Sequence, residues 1–293
     1  MTRYEPSIDL AGIEAIDTHV HIEIGHAGQS SLPDDLAEAA SKYFRTDGPR
    51  PDLDSIATHY RERRMAAVVF TVDSSTNLGH PPISNDEIID GAIRNSDVLI
   101  PFASVDPGRD DALDEIGRLI ERGARGFKFH PTVQGFSPDD DRLRPVYEAL
   151  RAAGAIALFH TGQTGIGAGM PGGYGFRLAL SNPMLLDGVA ADFPELQIIM
   201  AHPSVPWQDE ALSVATHKHN TWIDLSGWSP KYFPPQLVRY ANSLIRDRVL
   251  FGSDFPMLTP DRWIRDAEQS GTFKPDVLPG IMKDNAARLL GLA

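Results

Sequence analysis

The sequence of 293 residues contains no cysteine. That absence excludes disulfides, thiolate metal sites and cysteine nucleophiles together, and it requires any transition metal to be held by histidine or carboxylate. Positive charge is also scarce, with 27 Lys and Arg against 40 Asp and Glu and a net charge of −13. A chain of that sign has no general electrostatic affinity for nucleic acid or anionic lipid, and an anionic substrate would need a local basic pocket. No apolar run approaches the roughly 18 residues that span a bilayer. The opening segment "MTRYEPSIDLAG" lacks the apolar stretch of a signal peptide. The expectation is a cytoplasmic protein with neither a nucleic-acid nor a membrane partner.

What is present is a recurring unit. Strand-like apolar runs cover residues 13–21, 66–72, 98–105, 125–130, 155–160, 196–202, 221–226 and 249–254, and segments such as 111–122 and 143–153 between them have helical spacing. Nearly all-apolar strands alternating with helices imply a parallel sheet covered by helices. Eight such units in a chain of this length predict an α/β fold, a distorted (β/α)8 TIM barrel occupying residues 1–293 as a single domain. The longest interval, 25–64, holds "SLPDDLAEAASKYFR", which predicts a helical insertion after the first strand. An open, doubly wound sheet is the alternative fold.

Polar residues gather at the C-terminal ends of the runs: His19 and His21 on the first, Lys128 and His130 on the fourth, His160 on the fifth, His202 on the sixth, Asp224 on the seventh and Asp254 on the eighth. In α/β barrels that rim carries the active site. In "DTHVH", residues two apart on a strand share a face, so His19 and His21 can converge on one ion at N–metal distances of about 2.0–2.1 Å. Asp17 shares that face in the same pattern and could orient one imidazole. A pair of hydrogen-bonded core histidines is the bland alternative. His160 and His202 each close an apolar strand. Asp254 follows "VLFGS", where a carboxylate beside an apolar core implies something positive nearby.

This order, with HxH on strand one, His on strands five and six and Asp on strand eight, resembles the amidohydrolase superfamily. More narrowly it resembles the amidohydrolase-2 branch, which includes aminocarboxymuconate semialdehyde decarboxylase, resorcylate-type decarboxylases and carbon–carbon bond hydrolases. The likeness runs through nearly the whole chain, to the ending "DNAARLLGL". It implies that His19, His21, His160 and Asp254 hold one divalent metal, zinc first, with manganese or iron as alternatives. It implies catalytic roles for His202, as the acid/base residue beside the metal-bound water, and for Asp254. Pro203 and Ser204 stand where relatives often have glycines. Other branches carry a carboxylated lysine on strand four. Lys128 is read here as a cation near the substrate or the metal, with a carboxylated bridge and a structural salt bridge as alternatives, and His130 joins the substrate-side candidates.

The loops after the strands should supply the pocket. They offer Trp228, Lys231 and Tyr232 after strand seven, Tyr43, Phe44 and Arg45 in the insertion, and Arg177 after the glycine-rich loop. Aromatic residues interleaved with cations suit a small-molecule substrate, an aromatic acid or acyl thioester. Solvated loop charges and core aromatics are the plainer reading of each. The run from "SNPMLLDGVAADFP" to "DLSGWSPKYFPPQLVRYANSL" is similar to amidohydrolases of aromatic catabolism, some proposed to hydrolyse 4-hydroxyphenyl-β-ketoacyl-CoA. That likeness implies cleavage of a C–C or acyl bond. Non-oxidative decarboxylation of an aromatic or muconate-type acid and hydrolysis of a lactone or amide are the alternatives. Relatives are often dimers, so a homodimer is a further expectation.

Gly167, Gly169 and Gly172 spell G-x-G-x-x-G, a dinucleotide-binding signature. Pro171 interrupts it, and Asp187 falls in a helical segment instead of at the end of the next strand. No nucleotide cofactor is expected. These glycines are read as a mobile loop over the rim.

Overall fold

Each of the eight apolar runs forms a strand in the computed structural model, which describes residues 2–45 and 50–293. The strands are β1 (Ala15–His21), β2 (Met65–Phe70), β3 (Leu99–Ala103), β4 (Gly126–Phe129), β5 (Ile156–His160), β6 (Ile198–Ala201), β7 (Thr221–Asp224) and β8 (Val249–Leu250). They lie in chain order, each parallel to the next. The segment after β8 returns to β1: Thr18 N donates to Phe251 O at 3.0 Å, Asp254 N to His19 O at 3.0 Å and His21 N to Phe255 O at 2.8 Å. The strand order never reverses, so the doubly wound alternative is excluded and the fold is a (β/α)8 TIM barrel.

Alternation along the strands divides the core in two. Ala67, Val69, Phe127, Phe129, Ala157 and Phe159 face outward into the layer shared with the helices. Ile16, Val68, Ile100, Leu158, Ile199 and Leu250 face inward and fill the barrel, where Ala286, Ala287 and Leu290 of the C-terminal segment join them. The helices fit the outer layer by periodicity. Ala112–Glu121 buries Ala112, Ile116 and Leu119, one face of a 3.6-residue repeat. The insertion after β1 contains the expected helix, Asp34–Phe44. The helix Leu53–Glu62 follows it, with the Asp52 carboxylate accepting from Ser55 N at 2.9 Å as its cap. No helix among the described residues is long and apolar enough to cross a membrane.

One irregularity in β1 sets up the site. Its register against β2 steps from Asp17 opposite Ala67 to Val20 opposite Val69, so β1 carries one extra residue, a β-bulge. The bulge resets which face each side chain takes. Ile16 points into the barrel, Asp17 points out, and His19 and His21 point in. The expectation that Asp17 shares a face with the two histidines is therefore corrected: its carboxylate accepts from Tyr60 OH at 2.7 Å, Ser253 N at 2.9 Å and His19 N at 3.1 Å, and touches no imidazole.

Candidate functional site

Above the apolar filling, the inward positions turn polar. His19 and His21 at the end of β1 bring their Nε2 atoms within 3.2 Å of each other. Asp254 Oδ1 lies 3.4 Å from His19 Nε2 and 3.1 Å from His21 Nε2. Phe70, the last residue of β2, forms the apolar side of this group, its ring edge-on to both imidazoles at 4.9 Å. Asp254 reaches the group from a backbone in the left-handed region, at φ 71°.

The hydrogen positions follow from the partners. Asp224 Oδ2 accepts from His19 Nδ1 at 2.7 Å, so the hydrogen of the neutral His19 ring is on Nδ1 and its Nε2 is a bare lone pair. Burial, reinforced by Lys128, holds the His19 pKa well below the ordinary value, which keeps the ring neutral. A lone pair then faces the acceptor oxygen of Asp254 inside a buried site, an arrangement that needs positive charge beside it, of which Lys128 supplies one source.

The same reasoning separates the other two rim histidines. His202 follows β6 and would face outward by simple alternation, but its φ of 78° turns the side chain into the site. Its Nδ1 lies 3.2 Å from the Ser226 carbonyl, which can only accept, and 2.9 Å from Ser226 Oγ. The hydrogen is therefore on Nδ1, and His202 Nε2 accepts from His160 Nδ1 at 3.0 Å. His160 is left with a bare Nε2 that is buried and has no hydrogen-bond partner. Burial also lowers His202, to about 4, against the opposing pull of Asp254. By distance alone, donor atoms of His19, His202 and Asp254 lie within 4.8 Å of one another. Of His160 and His202, His160 offers the unpartnered nitrogen, because both nitrogens of His202 are engaged.

Lys128, wholly buried, places Nζ 3.4 Å from His19 Nε2 and 5.1 Å from the centroid of the Phe70 ring. Burial lowers its pKa, with Asp254 and Asp224 opposing. No carboxylate among the described residues pairs with it within 4.0 Å, which removes the structural salt bridge as its explanation. His130 stacks on His160, the ring centroids 3.8 Å apart and the planes at 9°, and Thr164 Oγ1 lies 3.4 Å from its Nε2.

A cavity enclosing about 700 Å³ of space, part of it open solvent, ends on these groups. His21, His130, His160, His202 and Asp254 form its polar end, and Ile22, Leu32, Phe44, Val72, Ile166 and Met257 its apolar walls. Thr164 and Gly165 bring the glycine-rich segment over the rim, where a side chain at Gly165 would meet the Phe44 ring at 2.3 Å. No α-helix starts on the glycines, which hold only the short 3₁₀ segment Pro171–Gly175, and Asp187 sits in the helix Leu185–Asp192, so the dinucleotide reading has no structural frame among the described residues.

The loop candidates lie elsewhere. Arg45 is exposed at the end of the insertion helix, Arg177 is exposed, and Tyr232 is 63% exposed beneath Lys231. Trp228 packs against the outer core. None of the four lines the cavity. A loop's aromatic and charged residues show that it is solvent-facing, but its path decides which of them reach the barrel mouth. Phe44, expected among the pocket residues of the insertion, does line the cavity, whereas Glu23 was not anticipated and Asp224 was noted at the rim without a role. Asp224 carried the signal, being a carboxylate at the inward end of β7.

A family model described as Amidohydrolase matches residues 16–292. No curated protein sequence matches the chain. Among solved structures, an uncharacterised TIM-barrel protein from Bordetella bronchiseptica is similar at TM-score 0.74 and 22% identity, over 94% of this chain and 98% of that one. A 2,6-dihydroxybenzoate decarboxylase from Rhizobium is similar at TM-score 0.70 and 18% identity, over 96% and 99%. A probable 2-pyrone-4,6-dicarboxylic acid hydrolase from Acinetobacter baumannii is similar at TM-score 0.61 and 16% identity, over 95% and 100%.

Proposed function

The chain belongs to the amidohydrolase family, in its amidohydrolase-2 branch, and from that premise we propose that it is a metal-dependent enzyme cleaving a C–C or acyl bond of a small ring-bearing substrate. The observation that carries this reading is the convergence of His19 Nε2, His21 Nε2 and Asp254 Oδ1 within 3.1–3.4 Å at the end of a cavity. His19, His21, His160 and Asp254 would hold one divalent ion, with the orphaned His160 Nε2 as the fourth donor. Imidazole and carboxylate donors without thiolate suit zinc or manganese. When bound, such an ion polarises a carbonyl oxygen and lowers the pKa of water.

The protein's own groups supply the rest. His202, neutral at pH 7 because burial lowers it, offers Nε2 as a base and can return the proton as an acid. Ser226 fixes that tautomer and, through its N–H to Asp224 Oδ1 at 2.6 Å, also fixes the carboxylate that orients His19. The apolar walls offer a surface for the substrate's ring beside the reacting end. Lys128, with Nζ 3.4 Å from His19 Nε2, adds positive charge beside Asp254.

Hydrolytic C–C or acyl cleavage, as for a 4-hydroxyphenyl-β-ketoacyl thioester, is the first reading. Its aryl end fits the cavity, and its long arm would leave through the opening. Non-oxidative decarboxylation is the second, favoured by the shared barrel of the Rhizobium decarboxylase and by apolar walls able to take an aromatic ring. Metal-loaded enzyme assayed on β-keto thioesters, hydroxylated aromatic acids and lactones distinguishes them. His19→Ala should lose both metal and turnover, whereas His202→Ala should keep the metal and lose turnover. A His202→Ala protein that loses metal while His160→Ala retains it would exchange the two roles.

A further inference from the structure

Among the described residues, Glu23 is the one acidic group on the cavity wall away from the polar end. The extended backbone of β1 continues past His21, with Ile22 N donating to Phe70 O at 2.7 Å and Ser31 N to Glu23 O at 3.0 Å. Glu23 therefore takes the same side as His21, two residues on, and both line the cavity. Its side chain is nine-tenths buried. Arg50 Nη1 lies 3.1 Å from Glu23 Oε2, but Oε2 has no aligned hydrogen-bond partner. Arg50 Nη2 also donates to Ser41 Oγ at 2.9 Å, and Arg50 does not line the cavity.

The charge of the wall follows. Among the described residues no Lys or Arg lines the cavity, and residues 46–49 contain no basic side chain. A second anionic group on a substrate would be buried with no cation of its own and would face Glu23. A hydroxyl or N–H at that place would donate to a carboxylate already desolvated and held by Arg50, the stronger class of hydrogen bond.

We infer that Glu23, backed by Arg50, is the specificity-determining acceptor of this cavity. It selects ring substrates whose part inside the cavity carries a hydroxyl or N–H donor remote from the reacting carbon and at most one negative charge, and it rejects those that place two anionic groups there. The inference rests on the proposed reading in placing the reacting end at the metal ligands.

The test is calorimetric titration of zinc-loaded protein with three probes: 4-hydroxybenzoate, benzoate and terephthalate. Wild type should bind 4-hydroxybenzoate about tenfold more tightly than benzoate, and terephthalate most weakly. Glu23→Gln keeps the shape and leaves Arg50 without its counter-charge, so terephthalate should gain about tenfold while 4-hydroxybenzoate weakens. A gain of affinity cannot arise from misfolding. Wild type that fails to bind 4-hydroxybenzoate or binds terephthalate equally well, or a variant with all three affinities unchanged, overturns the assignment. The same titrations on metal-free protein separate the two claims. If the order of the probes persists with undiminished affinities, the metal reading fails and the Glu23 assignment stands.

Discussion

His19 can serve as a ligand only while its Nε2 is bare, and Asp224 is the residue that keeps it so. Asp224→Asn should therefore weaken metal affinity by about 10- to 100-fold with the fold intact, measured by competition with a chelating dye alongside circular dichroism. Equal affinity in the variant would mean that His19 is oriented by packing alone. Gly227 gives a second residue-scale prediction. It lies at φ 75°, and a Cβ there would sit 2.9 Å from His202 Nδ1 and 3.1 Å from Asp254 Oδ2. Gly227→Ala should displace both groups and lower kcat by about a hundredfold, in steady-state kinetics at saturating metal. The histidines were legible in the sequence because each ends an apolar strand. Asp17 was placed on the wrong face because an extra residue in β1 leaves no mark in the pattern of residue types.

The elements that shape the cavity are the continuation of β1, the insertion helix Asp34–Phe44 and the glycine-rich segment after β5. Phe44 at the helix end meets Gly165 across the mouth, so two elements distant in sequence form one wall. Phe44→Ala should raise KM about tenfold or more while metal content stays at the wild-type level, since the side chain touches the cavity and no ligand. Loss of metal in that variant would show that the wall also supports the centre. Strand ends were readable from sequence, whereas loop paths were not. Arg45, Arg177, Trp228 and Tyr232 have the chemistry of a substrate pocket but do not line the cavity, because a loop's course is set by contacts with other elements.

At the scale of the whole molecule, the barrel was legible because a fully covered parallel sheet writes itself as eight apolar runs separated by amphipathic helices. Closure between the β8 segment and β1 was implicit in their number. The interior filling makes the rim rigid: Leu158→Ala, a fully buried inward position, should destabilise the protein by about 2–5 kcal/mol in denaturant unfolding. Metal should contribute to stability because the site gathers residues from several strands. At a free concentration 100 times Kd it adds about 2.7 kcal/mol, so removal by chelation should lower Tm by about 4 °C. The most direct test of the central claim is the zinc retained, by elemental analysis, after metal-stripped protein is reloaded and dialysed. Wild type should hold about one equivalent per chain and Asp254→Ala close to none. Wild type that retains no zinc, or an Asp254→Ala protein that retains as much as wild type, would contradict the account.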